Sequence, residues 1–133
     1  MEDYLMYLNG EWTGEGLPKI KVDNPASGEV IATIPKGGEK EAKLAVDVAH
    51  AAFPAWAALS AYERSAYLRT WFELIRQHEN ELARTMTIEQ GKPLKEALGE
   101  MRYANGFIEW FAEEGKRVYG ETIPASATNK RLF

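Results

Sequence analysis

The apolar period of this chain changes at Pro35-Lys36-Gly37-Gly38, and that change separates a strand-and-turn section from a helical one. Before it, the β-prone run Tyr4-Leu5-Met6-Tyr7-Leu8 leads through Asn9-Gly10 into Glu11-Trp12-Thr13. Both central residues of a type I′ turn need positive φ, so Asn-Gly between such runs predicts a hairpin. Ile20-Lys21-Val22 and Val30-Ile31-Ala32-Thr33-Ile34 predict a second strand pair, joined by Asn24 to Gly28. Pro25 pre-sets φ at the second position of that turn, and Gly28 can take a positive φ.

Beyond Gly38 the spacing is helical. Ala42, Ala45, Ala49 and Ala52 recur at three- and four-residue steps, which suggests close packing against another element, and Pro54 is expected to end this helix. Ser60-Ala61-Tyr62-Glu63 has the pattern of a capping box and should start the next helix, with a stripe of Leu68, Trp71, Phe72 and Ile75. A further helical stretch carries Leu82 and Met86 after a break near His78 to Asn80, and Gly91 is its left-handed C-cap. Pro93 suits the first turn of a last helix over about 93–118, whose apolar face would be Leu94, Ala97, Leu98, Met101, Ala104, Ile108 and Phe111. Gly99, Gly106 and Gly115 each cost that helix about 1 kcal/mol against alanine, and such glycines often mark a close backbone or ligand. After Gly120 the chain is extended, and Lys130-Arg131-Leu132-Phe133 reads as the start of a strand without a partner, the expectation for a truncated chain. The fold class is therefore α+β: β-hairpins, then three to four helices, then an extended segment.

Composition removes several functions. With 133 residues the chain is one domain's worth at most, and 45% hydrophobic with 27% charged residues is the makeup of a folded protein. A net charge of -4 without a basic run argues against nucleic acid as a partner. No stretch reaches the ~20 apolar residues of a membrane span, and Met-Glu-Asp-Tyr-Leu is unlike a signal peptide, so a cytoplasmic protein is expected. There is no cysteine, which excludes disulfides, thiolate metal sites and a cysteine nucleophile in this chain.

Candidate sites are few. Gly14-Glu15-Gly16 and Pro35-Lys36-Gly37-Gly38 lack the phosphate-loop fingerprint and read as ordinary loops. His50 and His78 have no second ligand at metal spacing. Glu113-Glu114 could do acid–base work, but on a helix surface it reads as a solvated face. Tyr67, Trp71, Phe72, Trp110 and Phe111 are spaced as core residues of helices. Glu89 is the most telling acid: just before a helix end, its charge opposes the carbonyl dipoles unless a cation or the neighbouring Lys92 compensates.

Two runs, Asn24-Pro25-Ala26-Ser27-Gly28-Glu29-Val30-Ile31 and Thr87-Ile88-Glu89-Gln90-Gly91-Lys92-Pro93 with Glu96-Ala97, stand in an order that resembles the N-terminal part of an NAD(P)-dependent aldehyde dehydrogenase. Phe107-Ile108-Glu109-Trp110-Phe111-Ala112-Glu113-Glu114 and Tyr119-Gly120-Glu121-Thr122-Ile123-Pro124 look most like the succinate-semialdehyde dehydrogenase branch. The resemblance implies a parent several times longer, with 1–119 as the hairpin and helical part of the dinucleotide-binding domain and 120–133 as the start of an oligomerisation arm. It implies oxidation of an aldehyde by an activated cysteine, with a hydride passed to NAD or NADP; the cysteine, the base, the oxyanion-binding asparagine and the cofactor-contacting glycines would all lie beyond Phe133. No catalytic and no cofactor-binding residue is therefore expected here, and the isolated chain should be inert and bind no cofactor. Its partners would be the rest of the parent chain and further copies in a homo-oligomer, with no nucleic acid and no membrane.

The same resemblance carries two roles onto residues that are present. A monovalent cation would be held by main-chain oxygens at Val22 and Asp23 and by Glu89, weakly or not at all in this chain alone. Gly99 and Tyr103 would edge the aldehyde's path. An alternative expectation is a stand-alone, non-catalytic helical assembly module.

Overall fold

The computed structural model describes residues 2–121 and 123–131. Two small sheets and four helices follow in chain order. The strands are β1 (Glu2–Asp3), β2 (Met6–Leu8), β3 (Glu11–Thr13), β4 (Lys19–Asp23) and β5 (Val30–Pro35). The helices are α1 (Glu39–Ala58), α2 (Ala61–Gln77), α3 (Glu79–Gln90) and α4 (Leu94–Glu114). The period change at Gly38 thus falls at the junction of sheet and helices. The strand expected over 130–133 reaches Leu132 and Phe133, and the last motif includes Thr122; these three lie outside the described residues.

Both expected hairpins form. β2 and β3 pair antiparallel, with Asn9 at φ 53° and Gly10 at φ 83°, the two positive values of a type I′ turn. β4 and β5 pair antiparallel through the Asn24–Gly28 turn, closed by the Gly28 N–H donating to Asn24 O at 2.8 Å and the Ala26 N–H donating to Asn24 Oδ1 at 2.9 Å. The sequence did not suggest β1, which adds parallel to β5, so that the three-stranded sheet runs β1-β5-β4 with β4 on an edge. Asp3 anchors it: its carboxylate accepts from the Thr33 hydroxyl and meets Lys19 Nζ at 3.0 Å, and these partners hold its pKa below the usual carboxylate value.

Pro54 does not end α1. The helix runs one turn further, to Ala58, although Pro54 has no N–H to offer the carbonyl of His50. It stops where Ser60 caps α2: the Glu63 N–H donates to Ser60 Oγ at 3.2 Å and the Ser60 N–H to Glu63 Oε2 at 2.8 Å, the reciprocal bonds of a capping box. None of the twenty residues of α1 is buried: of its alanine row only Ala45 is half-buried, while Ala42, Ala49 and Ala52 are exposed.

α2, α3 and α4 form the packed part. Arg69 on α2 reaches Glu109 and Glu113 on α4, while Phe72 lies against Asn105 and Arg102 against Glu79, so α4 runs antiparallel to α2. Gly91, at φ 77°, and Pro93 then fold α4 back on α3; Pro93 is the N-cap rather than the first helical residue. The inner face of α4 is Ala97, Met101, Asn105, Ile108 and Ala112. The expected stripe is therefore rotated, for Leu94, Ala104 and Phe111 are exposed. On α2, Leu68, Phe72 and Ile75 of the expected stripe face inward together with Ser65, while Trp71 is 54% exposed. The helix also stops at Glu114, before Gly115, rather than at 118.

Small side chains dominate the interior. Among the described residues, Ala32, Pro35, Ala83, Ala97 and Ala112 are the buried apolar ones, and no large side chain is fully buried. Accessible surface totals 10650 Å². A self-contained monomer of this mass, 15.0 kDa, exposes only about 7,000 Å². The helices therefore enclose their alanines closely and leave their large residues outside.

Candidate functional site

The corner where the β4–β5 turn meets the end of α3 joins the two halves of the chain. A Cβ at Gly91 would lie 2.9 Å from Pro25 Cγ, so the Asn-Pro turn rests directly on the C-cap of α3. Glu89 sits two residues before that cap, on the last turn of α3, where the free carbonyls carry partial negative charge. Lys92 does not compensate it: the Lys92 ammonium pairs with Glu100 on α4. Glu89 has no ion-pair partner among the described residues. Val22 and Asp23 end the edge strand β4, and the register of the β4–β5 ladder shifts between them. Such a bulge takes backbone groups out of the ladder.

A second candidate is the outer face of α4. Arg102, Tyr103, Gly106, Phe107, Trp110 and Phe111 line an open groove of about 470 Å³. Tyr103 is 71%, Phe107 48% and Trp110 63% exposed, and the Tyr103 and Phe107 rings meet edge to face at 5.0 Å. Of the two residues expected along a substrate path, Tyr103 lines this groove. Gly99 lies a turn earlier and faces open space, as Gly106 does; a Cβ on either meets nothing within 4 Å, so no backbone crowds these glycines within the chain. Among the five aromatics expected in the core, Tyr67, Trp71, Trp110 and Phe111 are exposed and only Phe72 is half-buried. A helix apolar on two opposite faces is one that is covered on both sides in its complete setting.

The remaining titratable groups are structural pairs. Glu113 lies 2.6 Å from Lys116 and 2.8 Å from Arg69, and Lys116 first, then Arg69, lowers its pKa. Glu114 pairs with Arg117. These two acids are neutralised, as a solvated helix face would be. His78 Nδ1 sits 2.9 Å from Glu81 Oε2. Among the described residues no three His, Cys, Asp or Glu side chains cluster to hold a metal, and no single helix is long and apolar enough to cross a membrane.

Asn105 was missed by the sequence reading. It is 6% exposed, and its Nδ2 donates to the carbonyl of Phe72 at 3.1 Å. Its signal was present: Asn105 lies four residues after Met101 and three before Ile108, in phase with the apolar row, a step that was given to Ala104 instead.

Comparison with known proteins fits this geometry. The sequence model of the aldehyde dehydrogenase family matches residues 12–133, and this chain belongs to that family. It is 58% identical over 128 residues to a glutarate-semialdehyde dehydrogenase of Pseudomonas putida, covering 96% of this chain and 27% of the relative. With the NADP(+) succinate-semialdehyde dehydrogenase of Escherichia coli it shares 54% over 130 residues, covering 95% and 26%. Among solved structures, an NADP-dependent enzyme of E. coli superposes with a TM-score of 0.90 at 52% identity, covering 97% of this chain and 27% of that one. Succinate-semialdehyde dehydrogenase from Burkholderia pseudomallei superposes with a TM-score of 0.89 at 47% identity, covering 96% and 27%. The fold described above is thus part of the aldehyde dehydrogenase fold, and the chain spans about a quarter of the length of the curated relatives it matches.

Proposed function

We propose that this chain is the N-terminal part of an NAD(P)-dependent dehydrogenase of the cytoplasm that oxidises a dicarboxylic semialdehyde, succinate semialdehyde foremost, to the acid. The observation that carries the reading is the identity of 58% and 54%, across nearly the whole chain, to two enzymes named for such semialdehydes. The name of the second supports NADP as the acceptor, with NAD the other choice. The chain holds no cysteine to attack the aldehyde and no glycine-rich dinucleotide loop, so it takes no step of that chemistry alone and binds no cofactor. What it supplies is scaffold: the uncovered faces of α1 and α4 accept the remainder of the parent polypeptide, which in turn assembles with further copies.

Two local roles belong to the same proposal. The carbonyl oxygens of Val22 and Asp23 and the carboxylate of Glu89 hold a monovalent cation in the complete enzyme. The support is the rest of the Asn-Pro turn on Gly91, the bulge at Val22/Asp23 and the lack of a basic partner for Glu89 among the described residues. Tyr103, with Gly99 one turn away, edges the aldehyde's path; the support is the apolar groove on α4.

The test is a chimera in which residues 1–133 replace the matching quarter of the P. putida relative. Reduced nicotinamide is followed with succinate and glutarate semialdehydes and with each cofactor. Turnover of succinate semialdehyde is expected. A soluble, assembled chimera that oxidises neither aldehyde would refute the reading.

A further inference from the structure

The packed faces of α2, α3 and α4 pose a problem of register. Every other buried side chain of these helices is small: Ser65 on α2, Ala83 on α3, Ala97 and Ala112 on α4. At the centre of the packed faces such residues offer few steric stops, and the larger Phe72, Ile75, Met101 and Ile108 flank them only half-buried. The ion pairs settle it only in part: Arg102 on Glu79 depends on the alignment, though its side chain is 69% exposed, and Arg69 does not. Arg69 touches both Glu109 and Glu113, which stand one helical turn apart, so a shift of one turn leaves Arg69 with a carboxylate.

Asn105 differs from all of these. It is the largest buried side chain of the bundle and is almost inaccessible, and its Nδ2 meets one carbonyl, that of Phe72. Its Oδ1 is buried without a hydrogen-bond partner among the described residues. A buried amide with one acceptor is an expensive way to gain stability, because the unpaired oxygen loses its water. The same group is an effective way to choose one alignment, because any slip of α4 leaves the NH₂ unpaired as well.

We propose that Asn105 locks the register of α4 against α2 and thereby positions Tyr103 and Phe107, which lie two residues to either side on the opposite face. The lock gives up stability for a single alignment. It is independent of the catalytic reading, since it concerns contacts wholly within this chain.

The chain has no native cysteine, so two can be introduced for spin labels without interference. Tyr62→Cys on α2 and Glu96→Cys on α4 put both labels on exposed positions at opposite ends of the pair. Pulsed dipolar spectroscopy then reads the distance distribution in the 133-residue chain. A single narrow distribution is expected with Asn105 present. With Asn105→Leu the distribution should split or broaden by about 5 Å, one helical turn, while the melting temperature stays equal or rises. An unchanged narrow distribution in N105L would overturn the proposal, as would a broad one in the parent chain. Early melting or failure to fold in N105L would also overturn it, by making Asn105 a source of stability rather than of register.

Discussion

Gly91 presents its bare Cα to the ring of Pro25, so close that a methyl group there would stand 2.9 Å from Cγ. Its φ of 77° adds a second constraint, because a side chain in the left-handed region costs about 1–2 kcal/mol. Gly91→Ala should therefore destabilise the chain by at least that amount, read as a lower urea midpoint. Gly99→Ala is the control: mid-helix, with open space around it, it should gain about 0.5–1 kcal/mol. Equal effects of the two substitutions would mean that Gly91 holds neither the left-handed conformation nor the Pro25 contact.

Capping at Ser60 makes a pH-dependent prediction. The Glu63 carboxyl is held below its usual pKa, first by the Ser60 backbone N–H and then by the Ser60 side chain. A carboxylate whose pKa is lowered on folding stabilises above its unfolded value and loses that contribution as pH falls through the folded one. Ser60→Ala should cost about 1 kcal/mol near neutrality. Glu63→Gln should behave at neutral pH much as the parent does in acid. Thermal melts from neutral to acid pH check this, and a Glu63 contribution that persists in strong acid would contradict it.

The exposed aromatics of α4 predict association of the isolated chain. Sedimentation at rising concentration should show self-association. Phe107→Glu with Trp110→Glu should weaken it by about tenfold or more, a difference of some 1.4 kcal/mol, with little effect on helix content, since both rings lie off the packed face. A parent chain that stays monomeric throughout the range would remove the inference that this face is sticky.

Turnover is expected to be nil for the 133 residues alone, with NAD or NADP and any semialdehyde, since no thiol is present to form the covalent intermediate. Measurable cofactor reduction by the purified chain, lost on heating, would contradict this.

Local chemistry was the legible part of this sequence. Asn9-Gly10, Asn24 to Gly28, the Ser60–Glu63 box and Gly91 each encode their geometry within a few residues, and each forms as expected. Long-range choices were less legible. The parallel docking of β1 on β5 depends on Asp3 finding Thr33 and Lys19, which no short pattern announces. Trp71, Trp110 and Phe111 carry a strong hydrophobic signal, yet that signal does not say which of two apolar faces a partner within this chain will cover. Helix α4 turns Ala97, Met101, Asn105, Ile108 and Ala112 inward against α2 and leaves its own rings, Tyr103, Phe107, Trp110 and Phe111, outside. Pro54 misled for a related reason, since a proline signals a missing hydrogen bond and the helix tolerates one. At the Glu89 corner the unfavourable charge was readable, whereas the diversion of Lys92 to Glu100 required the fold of α4.

The absence of any buried side chain on α1 bears on how the molecule moves. A twenty-residue helix with so little tertiary cover, chiefly Trp56 against Tyr67 of α2, is held mostly by its own backbone bonds, near the helix–coil limit, where relaxation takes about 0.1–1 μs. Its amide hydrogens should trade with deuterium well before those of α2 and α4, making α1 the first element to open and the last to close. What later covers α1 would then meet a segment still sampling its shape, and binding there would be felt as slowed exchange along the whole helix.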